Sequence, residues 1–192
     1  MNVKIRLAIV LMLQTTVLLF MVGMKQWTLN TGTPVVLETQ PIDPRSLFRG
    51  DYVRLNYKIN TLHLADLSYE GDFKKHERIY VVLDKGDPYW QPVSLHHKRP
   101  VIPIHQVAIK GEVRWVGRQR WNPALGSWEE IDHVLVRYGI ENYFVPEGEG
   151  LALERPKPDE KISVLVAIDK FGNAGIKSVL VNGEPRYTET IF

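Results

Sequence analysis

Pro41-Ile42-Asp43-Pro44-Arg45-Ser46-Leu47-Phe48-Arg49-Gly50-Asp51-Tyr52-Val53-Arg54-Leu55-Asn56-Tyr57 runs two turn signals directly into an alternating strand. Asp43-Pro44 marks the first turn, because proline presets φ and an adjacent aspartate bonds nearby backbone N–H groups. Gly50-Asp51 marks the second, where Gly50 is free to take a positive φ. Val53, Leu55, Tyr57 and Ile59 then fall on one face, with Tyr52, Arg54, Asn56 and Lys58 on the other. That period of two is the pattern of a half-buried strand. A charged loop feeding a core strand is one way to build a rigid site, and equally a way to begin a β-domain.

Working outward, 34–38 reads as a first strand and 78–84 as a strong one, rich in β-branched and aromatic residues. Lys85-Gly86-Asp87-Pro88 turns the chain towards a hairpin partner at 89–93. The run 61–67 reads as one or two helical turns, and 101–104 as a short edge segment restricted by prolines. Residues 107–116 alternate, with Val107, Ile109, Val113 and Trp115 on one side, while 117–128 read as a basic, aromatic loop. Strand character returns over 131–145, a brief helix is expected over 148–155, and strands are expected over 162–168 and 176–181 before an Asn182-Gly183 turn. Short strands separated by Gly and Pro predict a mainly β fold, a single antiparallel β-sandwich or distorted barrel with one or two short helices.

Upstream of this domain, residues 7–24 (LAIVLMLQTTVLLFMVGM) carry no charge. As a helix they span about 27 Å at ~1.5 Å per residue, enough for one N-terminal transmembrane helix with snorkelling flanks. Trp27 follows where an interfacial ring is expected. Met21-Val22-Gly23-Met24-Lys25-Gln26-Trp27 is a poor cleavage site, so the segment reads as an uncleaved signal anchor. Lys4, Arg6 and the terminal amine outweigh Lys25, which places the N-terminus in the cytoplasm. The expected organisation is a cytoplasmic 1–6, an anchor at 7–24 in contact with the lipid bilayer, a linker at 25–33 and an extracytoplasmic β-domain at 34–192.

Gly50-Asp51-Tyr52-Val53-Arg54-Leu55-Asn56-Tyr57 spells G-D-Y-x-x-L-x-Y and resembles the GDYXXLXY family of bacterial membrane-anchored proteins. A second segment, Tyr138-Gly139-Ile140-Glu141-Asn142-Tyr143-Phe144-Val145-Pro146-Glu147-Gly148-Glu149-Gly150, is similar to that family too. The resemblance implies a single-pass protein of the bacterial cell membrane, with no biochemical role assigned to the family.

Composition narrows the function classes. The 192 residues hold 24 basic and 22 acidic side chains and no cysteine. Disulfides, thiolate metal sites and a Cys nucleophile are excluded, as is a lipoprotein processing site. With Lys4, Arg6 and Lys25 set aside, the remaining charges nearly balance, so the domain lacks the footprint of a nucleic-acid binder. The six histidines, His63, His76, His96, His97, His105 and His133, form no ligand-spaced motif. No metal, cofactor or catalytic residue is assigned.

An anchored Ser…Gly-Asp loop also resembles type I signal peptidases, but the peptidase serine lies well before its Gly-Asp pair, ahead of a Met and a Pro. Here Ser46 follows Pro44 and sits four residues before Gly50, and it reads as a turn cap. Glu141 lies inside an aromatic, strand-like run, where a carboxylate calls for a partner; Arg45, Arg49 and Arg54 are the candidates. Trp115, Trp121 and Trp128 with Arg118 and Arg120 offer a second surface for a ligand or a membrane.

The chain is read as a membrane-anchored binding or adaptor domain for a membrane or envelope protein partner rather than an enzyme. Its candidate surface is Asp43, Arg45, Arg49, Asp51 and Tyr52, with Glu141, Tyr143 and Glu147 beside it. The alternatives are an extracytoplasmic hydrolase of peptide or envelope glycan, which would need a carboxylate pair or an activated serine, and a purely structural anchored module.

Overall fold

The computed structural model describes residues 2–40, 52–122, 126–144 and 160–188. One apolar helix is followed by antiparallel sheets that form a curled half-barrel or sandwich. The turns expected at Asp43-Pro44 and Gly50-Asp51 and the helix expected over 148–155 lie outside the described residues.

Helix α1 covers Val3–Thr31, 29 residues or about 43 Å at ~1.5 Å per residue. Asn2 caps its start, accepting a bond from the Lys4 N–H. Its most apolar window is not covered by the rest of the protein, so α1 is a candidate membrane span and fits a single-pass anchor. The polar interruption is absorbed locally, with the Thr16 hydroxyl donating to the Met12 carbonyl at 2.8 Å.

Within the expected 25–33 linker the residues stay helical to Thr31, and Gly32 alone joins α1 to strand β1 (Thr33–Gln40). The helix continues because its last turns dock on the domain. Thr28 and Leu29 are buried, and the Thr28 hydroxyl donates to Asp169 Oδ2 at 2.7 Å. Gly32 leaves no room for a side chain, since a Cβ there would stand 2.6 Å from the Thr28 carbonyl oxygen and 2.8 Å from the Ile168 nitrogen.

Along the chain follow β2 (Tyr52–Arg54), β3 (Asn56–Tyr57), β4 (Thr61–His63), β5 (Ser68–Tyr69), β6 (Arg78–Asp84), β7 (Gln91–His96), β8 (Gln106–Asn122), β9 (Ser127–Arg137), β10 (Asn142–Phe144), β11 (Ile162–Ile168), β12 (Ala174–Val181) and β13 (Glu184–Thr188). They form a five-stranded sheet in the order β13-β12-β11-β1-β3, a six-stranded sheet in the order β4-β9-β8-β6-β7-β5, and the pair β10-β2. Among the described strands one pairing is parallel, β5 with β7. The central strand β11 is buried on both faces, as its near-continuous apolar run requires. Between the sheets pack Leu37, Val53, Tyr57, Leu62, Ile79, Leu83, Ile109 and Ile168, each at 2% exposure or less.

The alternation read after Gly50 survives, although the strand does not run unbroken. Val53, Leu55, Tyr57 and Ile59 are all buried, whereas Arg54 and Lys58 are exposed. The segment is divided into β2, β3 and a 3-10 turn at Lys58–Asn60. Thr61-Leu62-His63, expected to be helical, is strand β4 paired to β9, and a 3-10 turn follows at Leu64–Asp66. Residues 101–104 form no strand; Val101 and Ile104 project into solvent.

The largest correction concerns the loop expected over 117–128. β8 and β9 run through it as a long hairpin, with Trp121 opposite Trp128 and Asn122 opposite Ser127. Trp115, placed by alternation beside Val113, is half exposed because a bulge between Val113 and Trp115 reverses the facing of the strand.

Candidate functional site

Strand β2 belongs to the first motif and β10 to the second, and the two pair directly: Arg54 faces Asn142, Val53 faces Tyr143 and Tyr52 faces Phe144. The Leu55 N–H donates to the Glu141 carbonyl at 2.7 Å, prolonging the ladder by one bond. Two buried tyrosines close the arrangement reciprocally. Tyr57 Oη donates to the Ile140 carbonyl at 2.7 Å, and Tyr138 Oη donates to the Ile59 carbonyl at 2.6 Å. Burial foremost, and the nearby Glu141 charge after it, pushes both phenols well above their ordinary range. They are donors held in one protonation state.

Asn60 stands between the motifs. Its Oδ1 accepts from the Tyr57 N–H at 2.6 Å, while Nδ2 donates to the Val136 carbonyl at 2.8 Å and to Glu141 Oε1 at 3.2 Å. Glu141 in turn caps the tight turn before it: Oε1 accepts from the Tyr138 N–H at 2.6 Å and Oε2 from the Gly139 N–H at 2.9 Å. Gly139 makes that turn at φ 82°. The motifs therefore meet through a backbone ladder, two phenols and one amide. Among the described residues no arginine forms an ion pair with Glu141, whose oxygens are already taken by N–H donors.

Beside this junction lies a groove of about 610 Å³, lined by Arg54, Arg114, Arg137, Asn142, Phe144 and Glu141 among others. Glu112 holds two of the guanidiniums in place, Arg114 Nη1 on Oε1 and Arg137 Nη2 on Oε2, each at 3.2 Å. His76 Nδ1 lies 2.9 Å from the same Oε1. The His76 bond first, then the two arginines, lower the Glu112 carboxyl below its ordinary range despite some desolvation. Arg54 has no ion-pair partner among the described residues. With three guanidiniums against two carboxylates, the groove favours an anionic group, and a planar guanidinium fork suits carboxylate or phosphate.

Of the candidate surface, Asp43, Arg45, Arg49, Asp51 and Glu147 lie outside the described residues, and Tyr52 is described through its backbone alone. Glu141 borders the groove. Tyr143 is 5% exposed and packs in the core, because residues alternate along β10 and its neighbours Asn142 and Phe144 point outward. Sequence reasoning passed over Arg114 and Arg137, which β8 and β9 bring to Arg54 from positions far along the chain. Their one visible signal was an outward place beside the buried Val113 and Val136.

A second groove of about 630 Å³ is lined by Glu38, Lys58, His63, Asp66, Trp90 and His133 among others. Lys58 Nζ and Glu38 Oε1 pair at 2.7 Å across part of it, and it contains none of the candidate residues. Among the described residues, no group of three or more His, Asp or Glu side chains is placed to hold a metal ion.

No curated protein and no solved structure is similar enough to this chain to match it. The family model described as GDYXXLXY protein matches residues 14–179, a range that takes in most of α1, both motifs and the strands that join them. The chain belongs to the GDYXXLXY family.

Proposed function

We propose that this protein is a membrane-anchored, extracytoplasmic binding domain of the bacterial envelope, and that it holds a membrane or envelope protein through a carboxylate or phosphate group. The observation that carries this reading is the convergence of Arg54, Arg114 and Arg137 on one groove beside the paired motifs. The ladder and the buried phenols fix the floor, so the guanidiniums are presented by strands rather than by a loop. Asp43, Arg45, Arg49, Asp51, Tyr52 and Glu147 extend the same surface in this reading, since they adjoin β2 and β10 in sequence. Residues 1–6 face the cytoplasm, 7–24 cross the bilayer, and the domain from residue 34 stands outside, an orientation supported by Lys4 and Arg6.

The test is crosslinking and co-purification of the full-length protein from its native membrane, in parallel with Arg54→Glu and with the pair Arg49→Ala and Asp51→Ala. Arg54 is exposed and unpaired among the described residues, so its reversal leaves the fold intact. Recovery of a partner with the parent and its loss with Arg54→Glu supports the reading. An identical capture profile for all three forms assigns the motifs to the fold alone.

A further inference from the structure

The end of α1 and the loop between β11 and β12 are tied into one unit. Asp169 accepts four bonds: from the Thr28 hydroxyl at 2.7 Å, the Phe171 N–H at 2.8 Å, the Asn173 N–H at 2.9 Å and Asn173 Nδ2 at 3.0 Å. Burial raises the Asp169 carboxyl, but together the bonds from Asn173, Thr28 and Phe171 outweigh it and hold the carboxyl below its ordinary range. The loop is closed further by the Gly172 N–H on the Asp169 carbonyl, and its far side is fixed where the Lys110 N–H bonds the Gly172 carbonyl at 2.8 Å. Gly172 sits at φ 84° with the Tyr80 ring and the β8 backbone pressed against it, so the turn has little freedom.

This rigid turn points two side chains outward. Phe171 is 47% exposed, and Lys170 Nζ lies over its ring at 5.1 Å from the centroid. An exposed aromatic under a lysine is an unusual choice for a loop facing water, and an ordinary one for a loop at a membrane surface. Position supports this. Thr28 lies three residues beyond Lys25, the first charge after the apolar run, which is about 4.5 Å along a helix axis. The loop bonded to Thr28 is therefore held at the depth where the helix leaves hydrocarbon, beside Trp27, itself 54% exposed.

From this continuity we propose that residues 169–173 form a second membrane contact, with the Phe171 ring seated among lipid headgroups and Lys170 on their phosphates. The occupant is the bilayer around α1. The contact rests on the anchor reading given above, and it sets the tilt of the domain over the membrane. A helix alone would leave the domain free to rock about its exit point; a second point of contact restrains that tilt.

The natural absence of cysteine makes single-site labelling direct. Full-length Phe171→Cys and Glu184→Cys, each carrying an environment-sensitive fluorophore, are reconstituted into phosphatidylcholine vesicles with and without phosphatidylglycerol. Glu184 lies beyond the opposite end of β12 and serves as the distant position. The expected result is strong quenching of the 171 label by headgroup-proximal brominated lipid, at least threefold above that at 184. It deepens with phosphatidylglycerol, and the added Lys170→Glu change cancels that deepening. Equal quenching at 171 and 184 in protein that resists alkaline extraction overturns the contact and leaves the anchor standing. Protein released by alkaline extraction overturns both.

Discussion

Tyr57 Oη donates to the carbonyl of Ile140 at 2.7 Å, and this bond joins the last residue of the first motif to the heart of the second. Tyr138 returns it by bonding Ile59. Each phenol fills core volume and satisfies a carbonyl that has no ladder partner, so a phenylalanine in either place keeps the volume and orphans the acceptor.

Tyr57→Phe and Tyr138→Phe should each destabilise the protein by about 1–2 kcal/mol through the unsatisfied carbonyl. The urea midpoint of detergent-solubilised protein, followed by tryptophan fluorescence, reads this out. Midpoints equal to the parent's remove the clasp from the account of stability.

The same phenols predict a response to alkali. Their folded pKa values lie above the ordinary value near 10, so the stability they contribute is full below that pH. It is lost as the pH rises from there towards the folded values, because the unfolded chain releases protons that the folded chain keeps. A tyrosinate absorbance titration should find that at least two of the eight tyrosines ionise only as the protein unfolds. Titration of all eight together in folded protein contradicts the burial described.

Glu141→Gln tests whether this carboxylate is there for the turn. Two backbone N–H donors and the Asn60 amide face its two oxygens, and a Gln side chain can offer an acceptor at only one of those positions. The expected loss is about 1–3 kcal/mol, with amide exchange at Tyr138 and Gly139 quickened. Stability like the parent's with altered partner capture would instead make Glu141 a binding residue.

The helix junction makes an ordered pair of predictions. Gly32→Ala drives a methyl into backbone atoms on both sides and should cost about 1–3 kcal/mol. Gly175→Ala meets only the Leu29 side chain, at 2.8 Å from Cδ2, and should cost less. Thermal unfolding of the two variants gives the order; a reversal would show that the Leu29 contact, not Gly32, governs the junction.

His97 and Glu77 define an acid-side window. The Glu77 hydrogen bond at 2.6 Å holds the His97 imidazole above its ordinary value, so that contribution is full below about pH 6.5 and fades as the pH rises. Glu77 is held low by the Lys74 backbone N–H first and by His97 after it, so its contribution is present above about pH 4.5 and is lost below. The 70–77 segment should therefore be best protected between these limits. Hydrogen exchange along it, compared with His97→Gln, reads the effect; a profile unchanged by the substitution sinks it.

What was legible in the chain divides along physical lines. Strands such as 78–84 and 162–168 were clear because dense β-branched content has few other uses, and the apolar helix was clear from length alone. The Val53–Ile59 alternation gave the correct buried face even though the backbone breaks twice, since facing depends on parity and not on continuity. Trp115 failed for the same reason: one bulge shifts parity and no local residue announces it. The hairpin of β8 and β9 reads as loop because its basic and aromatic composition carries no alternating pattern. Glu141 reads as a carboxylate in need of partners, but backbone N–H groups are invisible to residue-type reasoning, which offers arginines in their place. Arg114 and Arg137 could not be brought to Arg54 without knowing the register.

The place of β1 in its sheet has a consequence for how the protein is made. The Thr39 hydroxyl bonds the Ile162 carbonyl across 123 residues of chain, and β1 is laddered to β11 from Thr33 to Glu38. Synthesis delivers β1, and soon after it β3, long before β11, so an apolar strand with its β11 edge bare waits while the chain between them is made and, in the orientation proposed, exported as well. A chain cut short before residue 162 would carry the anchor and the family motif and still expose that strand. The late-arriving β11 is the keystone, and until it sets, this protein is an apolar helix trailing a sticky ribbon.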